Sequence, residues 1–166
     1  MSASAHPNLF SSPDHDRYFE DYISGAVHLL GEFKIVEDEM LAYAREFDPQ
    51  EIHIDREKAA EGPFQGLIAS GWYTGALMMR IFARNFLSNV SSRASPGIDG
   101  LRWLAPVRAD DVLRVRVSIL ETRRSASKPD RGIVKSLIEV INQDDQLVMD
   151  IQGVNIIACD PARQGK

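Results

Sequence analysis

The sequence predicts an α+β domain in which a largely antiparallel sheet curls around one long apolar helix. Three observations lead to this fold class. Helical patterns lie mainly in the first half of the chain and strand patterns in the second half, and such segregation is typical of α+β domains. The segment 62–79 carries no formal charge, and four strand patterns with one apolar face follow it. A sheet wrapped around this helix would bury both apolar surfaces.

The predicted domain begins with a strand and an amphipathic helix. Ala26–Val36 is rich in apolar, β-prone residues and predicts a strand. Over Glu37–Phe47 the apolar residues recur at helical spacing, and three acidic residues occupy the first turn, where the helix dipole favours them. Pro49 ends this helix, because the residue before a proline disfavours the α conformation. Asp48 is therefore expected at the mouth of a loop, which leads to a short helical turn over Arg56–Glu61.

A longer helix is expected over residues 66–85. Its residues are apolar nearly all round, which predicts burial on most sides. Gly66, Gly71 and Gly75 each lower helix propensity by roughly 1 kcal/mol relative to alanine, and close approach of the sheet is the expected compensation. A membrane span needs roughly 20 predominantly apolar residues. This segment is interrupted by polar residues and followed by two arginines, so we interpret it as a core helix.

Four strands are predicted in the second half, over residues 98–104, 112–120, 133–141 and 147–158. The alternation in the second of them places four apolar residues on one face: Leu113, Val115, Val117 and Ile119. Together with the first strand of the chain they would form a five-stranded sheet. One chain leaves the edges of such a sheet open, so we expect a homodimer or a higher homo-oligomer.

The chain is expected to contain a single domain, over residues 17–160. Its 166 residues suit one domain and are short for two. Residues 1–16 are rich in Ser, Pro and Asp and predict a flexible N-terminal arm, and residues 161–166 predict a tail.

Charge and cysteine content narrow the classes of function. Nineteen basic and 24 acidic residues give a net charge of -5, which argues against broad non-specific binding to nucleic acid or to an anionic membrane. The single cysteine, Cys159, excludes an internal disulfide and a zinc-binding cysteine cluster. The N-terminus lacks a basic region followed by an apolar run, so no secretory signal is predicted. A reducing cytoplasm is the expected compartment.

His53 has the most informative surroundings of the four histidines. Asp48 precedes it by five residues and Asp55 follows it by two. A carboxylate and an imidazole brought together can hold a water and move its protons, although a loop-capping Asp and a packed His would have the same spacing. Glycine-rich nucleotide loops and the serine-hydrolase elbow are absent. At the start of the long helix, the N–H of Gly66 would be a free donor for a carbonyl oxygen that becomes negative.

The segment Phe47–Arg80 resembles the MaoC-like dehydratases, which include the (R)-specific enoyl-CoA hydratases. The motif of that family has an Asp, a His five residues later, an Asp two residues after that, an Ala-rich turn and a Gly that opens the central helix. The matching residues here are Asp48, His53, Asp55, Ala59 or Ala60, and Gly66. Leu101–Leu113 resembles the strand–Pro-Val–turn–strand element of the family, and the order of elements extends the resemblance from Tyr18 to Ala158. The resemblance implies the hot-dog fold, a curved antiparallel sheet wrapped around a long central helix.

The resemblance also implies a hydro-lyase that reversibly adds water to the double bond of an enoyl-CoA thioester. Asp48 and His53 would form the catalytic pair, and the N–H of Gly66 would polarise the thioester carbonyl. The residues expected to line the substrate pocket are Thr74, Ile68 and Ser70. No metal or redox cofactor is implied, and coenzyme A would enter as part of the acyl-CoA thioester substrate.

Cations are expected around the phosphates of coenzyme A, and the candidates are Arg108, Arg123, Arg124, Lys128 and Arg131. Many hydratases carry Asn-Pro where this chain has Gln50 and Glu51, so the loop and the substrate can differ. Two other functions remain open: an acyl-CoA thioesterase, in which the same water attacks the carbonyl carbon, and a non-catalytic acyl-CoA-binding hot-dog module. Neither the acyl chain nor the acid and base roles of the pair follow from the sequence.

Overall fold

Five strands form one antiparallel sheet in a computed structural model that describes residues 10–163. The strands are β1 (Val27–Lys34), β2 (Ser92–Trp103), β3 (Val112–Arg124), β4 (Arg131–Ile141) and β5 (Leu147–Ala158). Their order across the sheet is β1-β3-β4-β5-β2, so β1 and β2 are the edges. All five predicted strands are confirmed. The largest difference is at β2, which begins at Ser92 instead of Ile98.

Four α-helices connect β1 to β2, and they are α1 (Glu37–Phe47), α2 (Glu51–Ile54), α3 (Arg56–Glu61) and α4 (Gly71–Asn85). The bounds of α1 and α3 match the prediction, whereas α2 folds within a segment predicted to be a loop. The central helix α4 begins at Gly71, later than the predicted start at Gly66. Its N-cap is Ser70, whose hydroxyl accepts a hydrogen bond from the N–H of Trp72. No helix within residues 10–163 is long and apolar enough to span a membrane.

The core lies between α4 and the sheet. The alternating face of β3 is buried as predicted, and the buried residues of α4 are Tyr73, Thr74, Leu77, Met78 and Phe82. The opposite face of α4 is apolar but exposed, since Trp72 and Met79 are 59% and 44% accessible and Ala76 and Ala83 lie beside them. The prediction that α4 is buried on most sides is therefore wrong for the single chain.

Gly71 is the point of closest approach between α4 and the sheet. A Cβ atom at this position would lie 2.4 Å from the indole of Trp103, the last residue of β2, so no side chain fits there without movement. Gly75 has open space around it. The expected close contact of the helix glycines with the sheet is thus confirmed at Gly71 and wrong at Gly75.

The N-terminal residues hold the other end of α4. Arg17 is buried, and its guanidinium donates to the carbonyl oxygens of Asn85 and Phe86 at 3.1 and 3.0 Å. Phe10 packs under this guanidinium and stacks on His28, with ring centroids 4.0 Å apart. Part of the predicted arm, from residue 10 onward, therefore belongs to the fold. The predictions for residues 1–9 and 164–166 lie outside the described residues.

Candidate active site

Asp48 projects from the end of α1. It is the C-cap residue of this helix, and its backbone N–H donates to the carbonyl of Ala44 at 2.9 Å. Pro49 follows and prevents the helix from continuing. The side chain of Asp48 is mostly buried, with 16% of its surface accessible. The sequence prediction that Asp48 lies at the mouth of a loop is confirmed.

The short helix α2 brings His53 back to Asp48. Its N-cap is Gln50, and the N–H of His53 donates to the carbonyl of Gln50 at 2.9 Å. The His53 ring is buried, and its Nδ1 is 2.9 Å from the carbonyl oxygen of Ile68. A carbonyl can only accept, so Nδ1 carries the proton in this contact. Nε2 then faces Asp48, 3.3 Å from Oδ2.

Both carboxylate oxygens of Asp48 accept hydrogen bonds. The amide Nε2 of Gln50 donates to Oδ1 at 2.6 Å, and the hydroxyl of Ser70 donates to Oδ2 at 2.7 Å. Burial alone would raise the pKa of Asp48, but the hydrogen bonds from Gln50 and Ser70 and the charge of His53 outweigh it and hold the pKa below its ordinary value. The arrangement therefore favours an ionised carboxylate beside the imidazole.

A cavity of about 350 Å³ opens directly beside the pair. Its inner wall is apolar and includes Ile68, Ala69, Val107 and Val148, all of them buried. Its rim is formed by exposed large side chains: Phe64, Trp72, Trp103 and Leu104. Among the described residues, Asp48 and His53 are the ionisable side chains that line the cavity. An apolar pocket with a few convergent polar groups is the usual form of a small-molecule site.

A family model described as MaoC like domain matches residues 19–141, which include the helices, the Asp48–His53 pair and most of the sheet. The chain belongs to the MaoC-like domain family. Its relatives include Uncharacterized protein YdeM of Bacillus subtilis, which is 29% identical over 131 residues, 79% of this chain and 92% of that protein. A second relative is 3-hydroxyacyl-thioester dehydratase Z of Mycobacterium tuberculosis, 31% identical over 94 residues, 56% of this chain and 62% of that protein.

Solved structures agree with the family assignment. The MaoC-like dehydratase from Rhodospirillum rubrum superposes with a TM-score of 0.82 at 31% identity, over 87% of this chain and 99% of that chain. R-Hydratase PhaJ1 from Pseudomonas aeruginosa superposes with a TM-score of 0.69 at 25% identity, over 86% of each chain. A Mycobacterium tuberculosis protein with a double hotdog fold gives 0.72 at 18% identity, over 87% of this chain and 45% of that chain. The predicted hot-dog fold is confirmed.

Gly66 does not have the geometry that the MaoC-like motif suggested. Its N–H is already bonded to the carbonyl of Ala59 at 2.9 Å, and it lies five residues before α4 with φ +146. The predicted role of the Gly66 N–H as a donor to the thioester carbonyl is therefore wrong. The residue that opens α4 and lines the cavity beside Asp48 is Gly71. Its N–H has no hydrogen-bond partner among residues 10–163, as expected for the first turn of a helix.

The three predicted pocket residues separate into two groups. Ile68 and Thr74 line the cavity, and their contact with substrate stays a prediction. Ser70 is fully buried and does not line the cavity, because its hydroxyl points to Asp48. The prediction that Ser70 contacts substrate is therefore wrong in this structure. Its place beneath the carboxylate could not be read from the sequence, since 22 residues separate the two side chains.

Four of the five predicted phosphate contacts lie at the end of the sheet that is far from the cavity. Arg123, Arg124, Lys128 and Arg131 surround the β3–β4 turn. Val140 of β4 is level with Met149 and hence with Trp103 on the cavity rim, and the nine residues from Arg131 to Val140 correspond to about 30 Å of strand. These four side chains therefore do not reach the cavity of their own chain. Arg108 adjoins it, but its guanidinium donates to the carbonyls of Phe64 and Leu67.

Asp55 and Glu51, the two acidic residues that lie two positions from His53 in the chain, have structural partners. The Asp55 carboxylate caps α3 by accepting from the N–H groups of Glu57 and Lys58, both at 3.1 Å. Glu51 forms an ion pair with Lys58 at an exposed position. Glu51 therefore does not add an uncompensated charge to the site. Within residues 10–163, no cluster of three His, Cys, Asp or Glu side chains is arranged to hold a metal ion.

Proposed function

We propose that this protein is a hydro-lyase that reversibly adds water to the double bond of an enoyl-CoA thioester. The observation that carries the proposal is the contact between Nε2 of His53 and Oδ2 of Asp48, 3.3 Å apart at one wall of an apolar cavity. One water can hydrogen bond to both atoms at this separation. The names of its relatives, a 3-hydroxyacyl-thioester dehydratase and an R-hydratase, support the same class of reaction.

The hydrogen bonds support His53 as the group that carries the mobile proton. With Nδ1–H bonded to Ile68, neutral His53 has its lone pair on Nε2. Asp48 has a lowered pKa and stays ionised, so it is a poor proton donor but stabilises the imidazolium that forms. The pair therefore has one proton carrier and one fixed charge.

The proposed chemistry then follows in two steps. The oxygen of the water bonds to the β-carbon while Nε2 of His53 takes one of its protons. The electron pair of the C=C bond shifts toward the thioester, which becomes an enolate with a negative oxygen. The N–H of Gly71 is available to stabilise that oxygen. The α-carbon next takes the proton from His53, which restores the carbonyl and the neutral imidazole. An H and an OH have been added across the double bond.

The activity is tested with a panel of enoyl-CoA substrates. Hydration consumes the enoyl thioester absorbance without releasing free thiol, and we expect this result for at least one uncharged acyl group, because the cavity wall is apolar. Release of free thiol at the same rate would identify a thioesterase. Binding without either change would identify a non-catalytic module.

We also expect a homodimer in solution. The apolar face of α4 around Trp72 and Met79 is exposed, and β2 is an open edge strand with Ile98 52% accessible. Single chains rarely leave a contiguous apolar surface and an unpaired edge together. Light scattering at micromolar concentration should give twice the chain mass of 18.6 kDa. A mass equal to that of one chain would contradict the expectation.

A further inference from the structure

Both oxygens of the Asp48 carboxylate are held by neutral donors that come from different parts of the chain. Gln50 belongs to the turn that starts α2, and its amide reaches Oδ1 at 2.6 Å. Ser70 is the N-cap of α4, and its hydroxyl reaches Oδ2 at 2.7 Å. The carboxylate is thus fixed in one orientation before any substrate is bound.

We propose that Gln50 and Ser70 are positioning residues that hold Asp48 ionised and oriented toward His53, one on each carboxylate oxygen. This inference rests on the proposed function. It assigns Gln50 and Ser70 a role that differs from the one expected from the sequence. The family resemblance predicts that Ser70 contacts substrate, and Gln50 departs from the Asn that many hydratases carry at this position.

The hydroxyl of Ser70 has two partners, and together they link Asp48 to the central helix. It donates to Asp48 and accepts from the N–H of Trp72 at 3.2 Å. A hydroxyl can do both at once, because it has one proton and two lone pairs. The Ser70 side chain therefore fixes the distance between the carboxylate and the first turn of α4, where the N–H of Gly71 is free.

The ionisation of Asp48 depends on nearby charges and on its two hydrogen-bond donors, Gln50 and Ser70. Among residues 10–163, His53 on α2 is the titratable group that faces the carboxylate. Glu51, on the same helix, is paired with Lys58 on α3. Hydrogen bonds to a carboxylate favour its charged form. Removal of a donor should therefore make Asp48 easier to protonate.

Gln50 provides the sharper test, because it is exposed and its replacement does not disturb the core. Gln50→Leu removes the donor at similar size, and Gln50→Glu places a second carboxylate beside Oδ1. We expect the part of the acidic limb of the kcat–pH profile that reports protonation of Asp48 to move to higher pH in Gln50→Leu and further in Gln50→Glu, because adjacent carboxylates resist joint ionisation. At the pH optimum, kcat of Gln50→Leu should fall roughly tenfold to a hundredfold, the usual range for losing one hydrogen bond to a charged group.

The matched control is Glu51→Gln, which changes a charge on the same short helix without touching Asp48. Its acidic limb should coincide with that of the parent. If the acidic limbs of both Gln50 variants also coincide with that of the parent, Gln50 does not position Asp48. If the Gln50 variants raise KM alone, Gln50 contacts substrate instead.

A second measurement separates this inference from the proposed function. The ¹³C resonance of the Asp48 carboxyl is titrated with pH in the absence of substrate. The pH at the midpoint of this titration should be lowest in the parent, higher in Gln50→Leu and highest in Gln50→Glu. This order would support the positioning role even if no thioester were turned over. Ser70→Ala should raise the midpoint as well, and equal midpoints throughout the Gln50 series would overturn the proposal.

Discussion

Asp48→Asn and His53→Ala should each lower kcat for hydration roughly 10²–10⁴-fold, the range that general acid–base catalysis usually contributes. The reason is geometric. Nε2 of His53 and Oδ2 of Asp48 are 3.3 Å apart and face the same apolar cavity. In the proposed mechanism, loss of His53 removes the proton acceptor for the water, and loss of Asp48 removes the charge that stabilises the imidazolium. Steady-state kinetics with the best substrate of the enoyl-CoA panel would measure both effects.

The double variant distinguishes a working pair from two independent residues. Groups that act as a unit show strongly non-additive effects, so Asp48→Asn combined with His53→Ala should be little slower than the worse single variant. Circular dichroism should show that all three proteins fold. Near-normal turnover of either single variant would exclude the assigned roles, and additive losses would show that the two side chains act in separate steps.

Replacing Gly71 with Pro should lower kcat roughly 10²–10³-fold, because it removes the backbone N–H that we propose as the donor to the developing enolate oxygen. Proline is tolerated in the first turn of a helix, where its missing N–H has no helical partner. Ser70 already has φ -56 and ψ 135, a conformation that a residue before proline adopts readily. The backbone at this point is therefore compatible with the substitution.

Trp103 packs so closely against Gly71 that this substitution has to be made in a variant without the indole. Any Cβ at position 71 would lie 2.4 Å from the indole, so both Ala and Pro would displace the ring. The comparison is therefore made in Trp103→Ala, with Gly71→Ala as the reference and Gly71→Pro as the test. Both variants add a Cβ atom, and only proline removes the N–H. Equal kcat values in the two double variants would eliminate Gly71 as the enolate donor.

The first helix and the last strand could be predicted with their observed bounds because local signals define them. Helical periodicity and Pro49 delimit α1, and a run of β-prone residues between polar turns delimits β5. The first half of β2 has no local sequence pattern that predicts a strand. It contains Pro96 and Gly97 and is exposed along almost its whole length, because an edge strand needs no apolar alternation and tolerates proline.

The Asp48–His53 pair was accessible to sequence reasoning because the two residues are close in the chain and belong to a spaced motif. The sequence assigns the donor to the wrong glycine, because counting along the motif does not reveal that residues 66–70 are not helical. Ser70 directly before Gly71 was the available signal, since serine is a preferred N-cap residue. The distance of Arg123, Arg124 and Arg131 from the cavity could not be predicted, because it depends on how β4 pairs with β5 and β5 with β2.

The strand order has a consequence for how the protein is made. Each edge strand pairs only with a strand synthesised later: β1 with β3, and β2 with β5. Pairing between strands distant in sequence is slow to form. The Asp48–His53 pair is translated early, but Val148 in the cavity wall, and Met149, which pairs with Trp103, come from the last strand. A ribosome-bound chain that lacks β5 therefore contains Asp48 and His53 but cannot form the complete cavity beside them. We therefore expect the proposed turnover to appear during synthesis only after β5 has been inserted.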